Sequence, residues 1–404
     1  MTTVTIARLG HLGDGIAPGP VFVPMALPGE VVEGDISGER MPAPRIVTPS
    51  PDRVRAPCPH YRACGGCAIM HASDDFVARW KAEVVRQALA AQGLEAAFRP
   101  VVTSPPQSRR RATFSGRRTK SGAIVGLHGR RSGTIVEIPE CQLLDARLMA
   151  ILPALVEITL NGGSRKAELA LSATLTEAGV DLAVRGGKPL DSSLFSALAA
   201  IAEHADLARL TWDGETAIAR RPPLRRFGAA PVVPPAGAFQ QATAEGEAAL
   251  LAAVTEAVGH ARHVVDLFAG CGTFALPLAE RAEVHAVEGD RAMIAALDAG
   301  WRAAAGLHQV SSEARDLFRR PLLPDDLNRF DAVVIDPPRA GAVAQMAEIA
   351  ASRVAVVAAV SCNPVTFARD ARLLTEAGFR IDWVQVVDQF RWSPHVELAA
   401  RFSR

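Results

Sequence analysis

Residues 263–275 read HVVDLFAGCGTFA, a short apolar run that ends in a glycine-rich turn. An apolar strand that runs into glycines and then into a helix is typical of the first unit of a doubly wound α/β sheet. Gly270 and Gly272 carry no Cβ, so backbone amides in the turn can approach a bound nucleoside closely. Through Ala275 the same residues also fit the Gly-x-Gly-x-x-Ala pattern of dinucleotide-binding dehydrogenases, so the turn alone predicts a nucleoside cofactor and leaves its chemistry open.

Strand-like and helix-like segments alternate from residue 231 to residue 404. The predicted strands and helices are, in chain order, strand His263–Phe268, a helix after Gly272, strand Val284–Glu288, helix Arg291–Gly300, strand Ala332–Asp336, strand Val354–Ser361, helix Pro364–Ala377, and a final strand pair at Arg380–Phe390 and Val396–Phe402. This alternation predicts a Rossmann-like α/β domain with a doubly wound, mostly parallel sheet.

Two further domains are expected before residue 231. Residues 1–50 alternate short β-like runs with glycine and proline and predict a small β-barrel. Six prolines between Pro42 and Pro59 predict a linker. Residues 51–230 predict a central α+β domain with a helix capped by Ser73, candidate strands at Arg111–Ser115, Ile124–His128 and Thr134–Ile138, and helices near Leu148–Thr159 and Ser193–Ala205.

The chain is long and apolar enough to bury a large core, and it has almost no net charge. It has 404 residues, 49% of them hydrophobic, with 44 Lys and Arg against 43 Asp and Glu. The basic residues are unevenly placed, since nine lie between Arg99 and Arg131 with no acid among them. This patch fits phosphate binding and fits a solvated basic loop equally well. No signal peptide or membrane span is recognisable, so we expect a soluble, cytoplasmic protein, by default a monomer.

Four of the six cysteines form one pattern, Cys58-x5-Cys64-x2-Cys67 with a distant Cys141. Four thiolates can hold zinc or an iron–sulfur cluster, and the ligand count does not distinguish the two. A reducing compartment disfavours disulfides.

A thiol and an acid follow two of the predicted parallel strands. Cys362, in Ser361-Cys362-Asn363-Pro364, and Asp336, in Asp-Pro-Pro-Arg, are both expected at the carboxyl edge of the sheet. Together they favour a methyltransferase with a cysteine nucleophile over a nicotinamide-dependent oxidoreductase. Glu397 lies among apolar residues, and from its local sequence it is best interpreted as a solvent-exposed acid at a strand edge. His395 could be a base, a positioning donor or an ordinary loop residue.

These motifs together resemble the RNA (uracil-5-)-methyltransferase family, and within it the bacterial 23S rRNA enzymes that carry a TRAM domain and a [4Fe–4S] cluster. The resemblance covers essentially the whole chain. It rests on Leu27-Pro28-Gly29-Glu30, the cysteine pattern, the sequence from Asp266 to Gly272, Asp336-Pro337-Pro338-Arg339-Ala340-Gly341, Ser361-Cys362-Asn363-Pro364 and His395-Val396-Glu397.

The resemblance implies methyl transfer from S-adenosylmethionine to C5 of a uridine, with rRNA favoured over tRNA as the substrate. It implies that Cys362 is the nucleophile, that Glu397 is the general base, and that Cys58, Cys64, Cys67 and Cys141 hold a [4Fe–4S] cluster. The implied cofactor pocket consists of Gln240, Phe268, Thr273, Glu288, Asp316 and Asp336. We also expect the target uridine to be flipped out of the RNA stack. A noncatalytic RNA-binding or redox-sensing protein remains the alternative of a different class.

Overall fold

The computed structural model describes residues 1–404, and its N-terminal part consists of six short strands. These strands are β1 (Thr2–Thr5), β2 (Arg8–Leu9), β3 (Gly15–Ala17), β4 (Val21–Val23), β5 (Val31–Gly34) and β6 (Arg45–Thr48). They form two three-stranded antiparallel sheets, ordered β1-β5-β6 and β2-β3-β4. Ile6, Val32 and Met41 are fully buried in the small core of this part.

The proline-rich segment that was predicted to be a linker contains a strand. Strand β6 lies between Pro44 and Pro49 and pairs only with β5. It is therefore an edge strand, where prolines at the flanks remove no ladder hydrogen bond. The prediction of an uninterrupted linker from Pro42 to Pro59 was wrong at these four residues.

The central part of the chain is a seven-stranded sheet with helices on one side. Its elements, with the two that precede it, are α1 (Asp74–Ala90), β7 (Val102–Thr103), β8 (Arg111–Arg118), β9 (Ala123–His128), β10 (Ile135–Val136), α2 (Ala146–Ala150), α3 (Leu152–Gly162), β11 (Leu169–Thr176), β12 (Gly179–Arg185), α4 (Ser192–His204), β13 (Arg209–Trp212) and β14 (Glu215–Ala219). The strand order is β10-β9-β8-β11-β12-β13-β14, and only β12 and β13 are parallel. The three predicted strands and two helical regions are present, whereas β11 to β14 were not predicted.

The C-terminal part contains an eight-stranded, mostly parallel sheet. Its elements are β15 (Arg225–Phe227), β16 (Ala230–Val232), α5 (Ala244–Val258), β17 (His263–Leu267), α6 (Ala275–Leu278), β18 (Glu283–Glu288), α7 (Arg291–Ala303), β19 (Val310–Ala314), α8 (Pro324–Leu327), β20 (Ala332–Ile335), α9 (Val343–Ala351), β21 (Val356–Ser361), α10 (Pro364–Glu376), β22 (Arg380–Asp388) and β23 (Glu397–Ser403). The sheet order is β19-β18-β17-β20-β21-β23-β22-β7, with β23 antiparallel to both neighbours. Hydrophobic cores cover both faces, which confirms the predicted doubly wound arrangement.

Helix α1 and strand β7 precede the central sheet in sequence but pack on the C-terminal sheet. Ser73 caps α1 by accepting a hydrogen bond from the Phe76 amide, as predicted. Val85 and Leu89 of this helix lie in the same core as the residues of β20 and β21, and β7 pairs with the end of β22. The domain boundaries 1–50, 51–230 and 231–404 remain predictions. Helix α1 and strand β7 lie within residues 51–230, yet they pack on the sheet of the C-terminal unit. No helix has the length and apolar character needed to span a membrane.

Candidate active site

Three of the predicted site residues lie in one row at the carboxyl edge of the sheet. The registers pair Leu267 of β17 with Val287 of β18 and with Ile335 of β20. The next residue of each strand is Phe268, Glu288 and Asp336, so these three follow one another across adjacent strands. Because β17 is the point at which the strand order reverses, a crevice opens there, as is usual for ligand sites in open α/β sheets.

Glu288 holds the glycine turn in place. Its Oε2 accepts a hydrogen bond of 3.0 Å from the Gly270 amide, and its Oε1 accepts one of 2.9 Å from the Asp290 amide. Gly270 has a φ of 57°, and a Cβ there would meet no atom within 4 Å. The turn therefore leaves open space beside its amides, where a ligand can approach. Phe268 also has a positive φ, of 63°, which is rare for a bulky residue and typical of functional sites.

Two buried side chains near this edge have unpaired oxygen atoms. Neither carboxylate oxygen of Asp266 has a hydrogen-bond partner, and neither does Oε1 of Gln240. Burial, followed by the charge of Asp336, raises the pKa of Asp266 well above its usual range. Buried polar atoms are normally paired, so these oxygens fit a ligand that donates hydrogen bonds.

The other two predicted cofactor residues are more open. Thr273 is partly buried in the glycine turn, next to Gly272. Asp316 is exposed two residues beyond β19, and its Oδ1 accepts a 3.0 Å hydrogen bond from the Phe318 amide. The Phe318 ring lies 5.4 Å from that of Phe268, so this loop reaches back to the row described above.

Strand register places Cys362 directly opposite Glu397. The last registered pair between β21 and β23 is Ser361 with Leu398. Since the strands are antiparallel, one further step brings Cys362 opposite Glu397, and directly opposed residues present their side chains on the same face. Burial, followed by the charges of Glu397 and Asp336, raises the pKa of the Cys362 thiol to about 11. The predicted nucleophile and base therefore lie side by side.

Glu397 is buried, with 3% of its surface exposed, so the strand-edge interpretation of its local sequence is wrong. Burial, followed by the charge of Asp336, raises the pKa of Glu397 well above its usual range. Burial also raises the pKa of Asp336 to about 7. Gln389, which the sequence did not indicate, donates a 3.0 Å hydrogen bond to Glu397 Oε2.

Arg339, at the end of the Asp-Pro-Pro-Arg segment, supplies positive charge to this site. Its Nη2 lies 2.6 Å from Nδ1 of His395, and its carbonyl accepts a 2.9 Å hydrogen bond from Asn363 Nδ2. Burial, followed by the charge of Arg339, lowers the pKa of His395, so His395 accepts from the guanidinium as a neutral ring. Among the roles left open for His395, this geometry favours positioning of Arg339.

The four cysteines of the N-terminal pattern are free thiols that influence one another electrostatically. Burial, followed by the charges of Cys141 and Cys64, raises the pKa of Cys67. Burial also raises the pKa of Cys64, whose sulfur accepts a 3.3 Å hydrogen bond from the Gly66 amide. No group of three or more His, Cys, Asp or Glu side chains is arranged to hold a metal ion, so the predicted metal centre gains no support from these positions.

A cavity of about 400 Å³ lies between the central sheet and the C-terminal unit. Arg109 and Arg111 line it together with the rings of Phe239 and Phe390. Neither arginine pairs with an acid; Arg109 Nε donates to the Arg111 carbonyl, and Arg111 Nη1 donates to the Gln240 carbonyl. Two partly buried guanidinium groups without a counter-charge are suited to an anionic ligand.

These features define an α/β enzyme that combines a nucleoside-cofactor crevice with a thiol and a buried carboxylate at one sheet edge. A family model described as tRNA (Uracil-5-)-methyltransferase matches residues 234–404. An uncharacterized RNA methyltransferase of Brucella suis is 44% identical over 98% of this chain and 96% of its own. The 23S rRNA (uracil(1939)-C(5))-methyltransferase RlmD of Shewanella piezotolerans is 30% identical over 99% of this chain and 95% of its own.

The chain therefore belongs to the RNA (uracil-5-)-methyltransferase family, as its motifs predicted, and is an RNA methyltransferase. The fold agrees with a crystal structure of the Pyrococcus abyssi tRNA (uracil-54, C5)-methyltransferase in complex with S-adenosyl-L-homocysteine. That structure covers 99% of both chains with a TM-score of 0.76, at 23% sequence identity.

Proposed function

We propose that this protein transfers a methyl group from S-adenosylmethionine to C5 of a uridine in 23S rRNA. The observation that carries the proposal is the opposition of Cys362 and Glu397 across β21 and β23, next to the row of Phe268, Glu288 and Asp336. A thiol, a base and a cofactor crevice at one edge are the parts that this reaction needs.

The crevice residues fit a nucleoside cofactor. The open space at Gly270 suits close approach of a ligand to the turn, and Glu288 suits the ribose hydroxyls. The unpaired Gln240 Oε1 and Asp266 are further acceptors for its polar groups. We propose that Gln240, Phe268, Thr273, Glu288, Asp316 and Asp336 line the pocket. When bound there, S-adenosylmethionine supplies an electrophilic methyl group.

Cys362 and Glu397 divide the chemistry on the uracil ring. The Cys362 thiolate adds to C6, and the electron pair of the C5–C6 double bond moves towards O4, which makes C5 nucleophilic. After C5 has taken the methyl group, Glu397 removes the C5 proton, the double bond re-forms and the thiolate leaves. Glu397 must be ionised to remove this proton. Because its pKa is raised, the ionised carboxylate is a stronger base than an ordinary glutamate.

The cavity lined by Arg109 and Arg111 supports an RNA substrate. Phe390 connects this cavity to the catalytic residues, because its ring lies 5.9 Å from that of His395, the partner of Arg339. We propose that the two arginines bind phosphates beside the target nucleotide and that Phe239 and Phe390 offer stacking surfaces to unstacked bases. The target uridine would be flipped into the space next to Cys362.

The substrate class rests on the relatives. The relative that acts on 23S rRNA aligns over nearly the full length of both chains, which favours rRNA. The family model and the Pyrococcus abyssi enzyme are named for tRNA, so tRNA is the second candidate.

We further propose that Cys58, Cys64, Cys67 and Cys141 bind a [4Fe–4S] cluster. The Gly66 amide donates to one sulfur, and the charges of Arg130 and Arg109 lie close enough to oppose the rise in thiol pKa at Cys64 and Cys141. Amide donors and nearby positive charge stabilise cluster sulfurs. Anaerobic purification followed by iron, sulfide and absorbance measurements tests this: fewer than about four irons per chain would contradict the cluster.

Methyl transfer with labelled S-adenosylmethionine tests the function. Anaerobically prepared protein is incubated with separate pools of unmodified 23S rRNA and tRNA, and nucleosides are identified by mass spectrometry. Label in 5-methyluridine from the rRNA pool is the expected result, and label from the tRNA pool alone would favour the second candidate. Absence of 5-methyluridine from both pools would refute the reaction.

A further inference from the structure

Gln389 holds Glu397 by a hydrogen bond whose polarity the backbone fixes. Gln389 Oε1 accepts a 2.7 Å hydrogen bond from the Ala242 amide, which can only donate. The amide nitrogen of Gln389 must therefore point the other way, where it donates to Glu397 Oε2 at 3.0 Å and to Gln241 Oε1 at 2.6 Å. If the Gln389 amide were flipped, its NH₂ group would face the N–H donor of Ala242. Its oxygen would then face the acceptor oxygens of Glu397 and Gln241.

All three residues are buried, and the side-chain amide of Gln389 in particular has little access to water. Gln389 is 1% exposed, Gln241 is 3% exposed and Glu397 is 3% exposed. The other carboxylate oxygen of Glu397, Oε1, has no hydrogen-bond partner in the protein and is not closed off from solvent. The network thus occupies one oxygen and leaves the other for the proton of the substrate.

The far end of the network is attached to the residue that precedes strand β8 of the central sheet. Arg110 is buried and donates from Nε to the Gln241 carbonyl at 3.0 Å and from its amide to the Ala242 carbonyl at 3.0 Å. Arg109 and Arg111, on either side of it, line the cavity proposed for RNA. The segment that orients Gln389 is therefore held by Arg110, between the two arginines that line the proposed RNA site.

Packing leaves Gln389 little freedom. Gly246, in the first turn of α5, has no side chain, and a Cβ there would lie 2.5 Å from Gln389 Cβ. Gln389 also follows Asp388, whose carboxylate pairs with Lys81 in the core.

We propose that Gln389 is a positioning residue that fixes the general base Glu397 from the interdomain segment Gln241–Ala242. This inference rests on the proposed function, because it assigns Glu397 the removal of the C5 proton. Gln389 acts on elimination, the last step, and not on binding of RNA. Loss of its hydrogen bond leaves the carboxylate free to rotate and removes a contact that lowers the pKa of Glu397.

Gln389→Met tests the inference, since methionine has a similar shape and no amide. We expect kcat to fall about 10- to 100-fold, the range for losing a hydrogen bond to a charged group, with KM for RNA unchanged. The pH midpoint of kcat should move up, and a covalent RNA–protein adduct should accumulate in the steady state. Gln241→Met should shift the midpoint in the same direction by less.

Gln345→Met is the matched control. Gln345 is also fully buried and makes two hydrogen bonds, with the amide and the carbonyl of Leu322, away from the site. The Gln345→Met substitution should lower the free energy of unfolding without moving the pH midpoint of kcat or the level of the covalent adduct. An active Gln389→Met enzyme with the wild-type midpoint and adduct level would overturn the positioning role. If the wild-type protein forms neither 5-methyluridine nor an adduct, the proposed function itself has failed.

Discussion

Replacing Lys81 by methionine should destabilise the C-terminal unit strongly. Lys81 and Asp388 form an ion pair in which both side chains are 0% exposed, with 2.5 Å between Nζ and Oδ1. Lys81 Nζ also donates to the Phe390 carbonyl at 3.1 Å, whereas Asp388 Oδ2 already has no partner. The substitution leaves a buried carboxylate without any hydrogen-bond partner, which should cost about 3–5 kcal/mol.

Urea unfolding followed by tryptophan fluorescence measures this loss, because Trp383 and Trp392 lie in the same unit as the pair. Arg372→Met is the control: Arg372 pairs with Glu376 on the surface of α10, and its loss should cost at most about 0.5 kcal/mol. Adding Asp388→Asn to Lys81→Met should recover part of the loss, because an amide costs less to bury than a carboxylate. A loss for Lys81→Met no larger than that of the control would refute this reasoning.

Three further predictions concern the catalytic edge. Single-turnover methylation should become faster as pH rises, because burial raises the pKa of Glu397 and raises that of Cys362 to about 11, and both react deprotonated; a rate that falls with pH would contradict this. The pKa of Asp336, about 7 when folded, exceeds the unfolded value of about 3.9, so its contribution to stability is lost as pH rises through 7. Asp336→Asn should therefore raise the free energy of unfolding at about pH 8, by at most ~4 kcal/mol. Near pH 4 it should have no such effect. Equal changes in the free energy of unfolding at the two pH values would count against this prediction. Gly272→Ala should weaken binding of S-adenosylmethionine in calorimetry, because Gly272 has a φ of 93° and a new Cβ would lie 2.7 Å from Leu276 Cδ1; unchanged affinity would contradict the strain.

The doubly wound sheet could be predicted because its central strands have no polar face. All four residues of β20, Ala332–Ile335, are buried, and such a run is recognisable without an alignment. Strand β19, Val310–Ala314, was missed because it is an edge strand with only Val310 buried, so its sequence reads as a polar loop. The helix after Gly272 was predicted, yet α6 is only four residues long, Ala275–Leu278.

Site residues were predictable where a motif carries them and not where only tertiary contacts do. Cys362 and Asp336 follow recognisable strands, so their place at the sheet edge was expected. Glu397 was expected at the site only through the family resemblance, because its burial depends on the pairing of β23 between β21 and β22. Gln389 had no signal at all, since its partner Ala242 lies 147 residues away.

The most direct test of the central claim is the mass of the protein after reaction with RNA when the base is removed. Glu397→Gln is mixed with unmodified rRNA and S-adenosylmethionine, the RNA is digested, and the protein is analysed intact and by peptide mapping. The account predicts a methylated uridine nucleotide bound covalently to Cys362, which Cys362→Ala in the same background abolishes. An unmodified Cys362 in a Glu397→Gln protein that still binds RNA, or an adduct on another residue, would contradict the assignment of nucleophile and base.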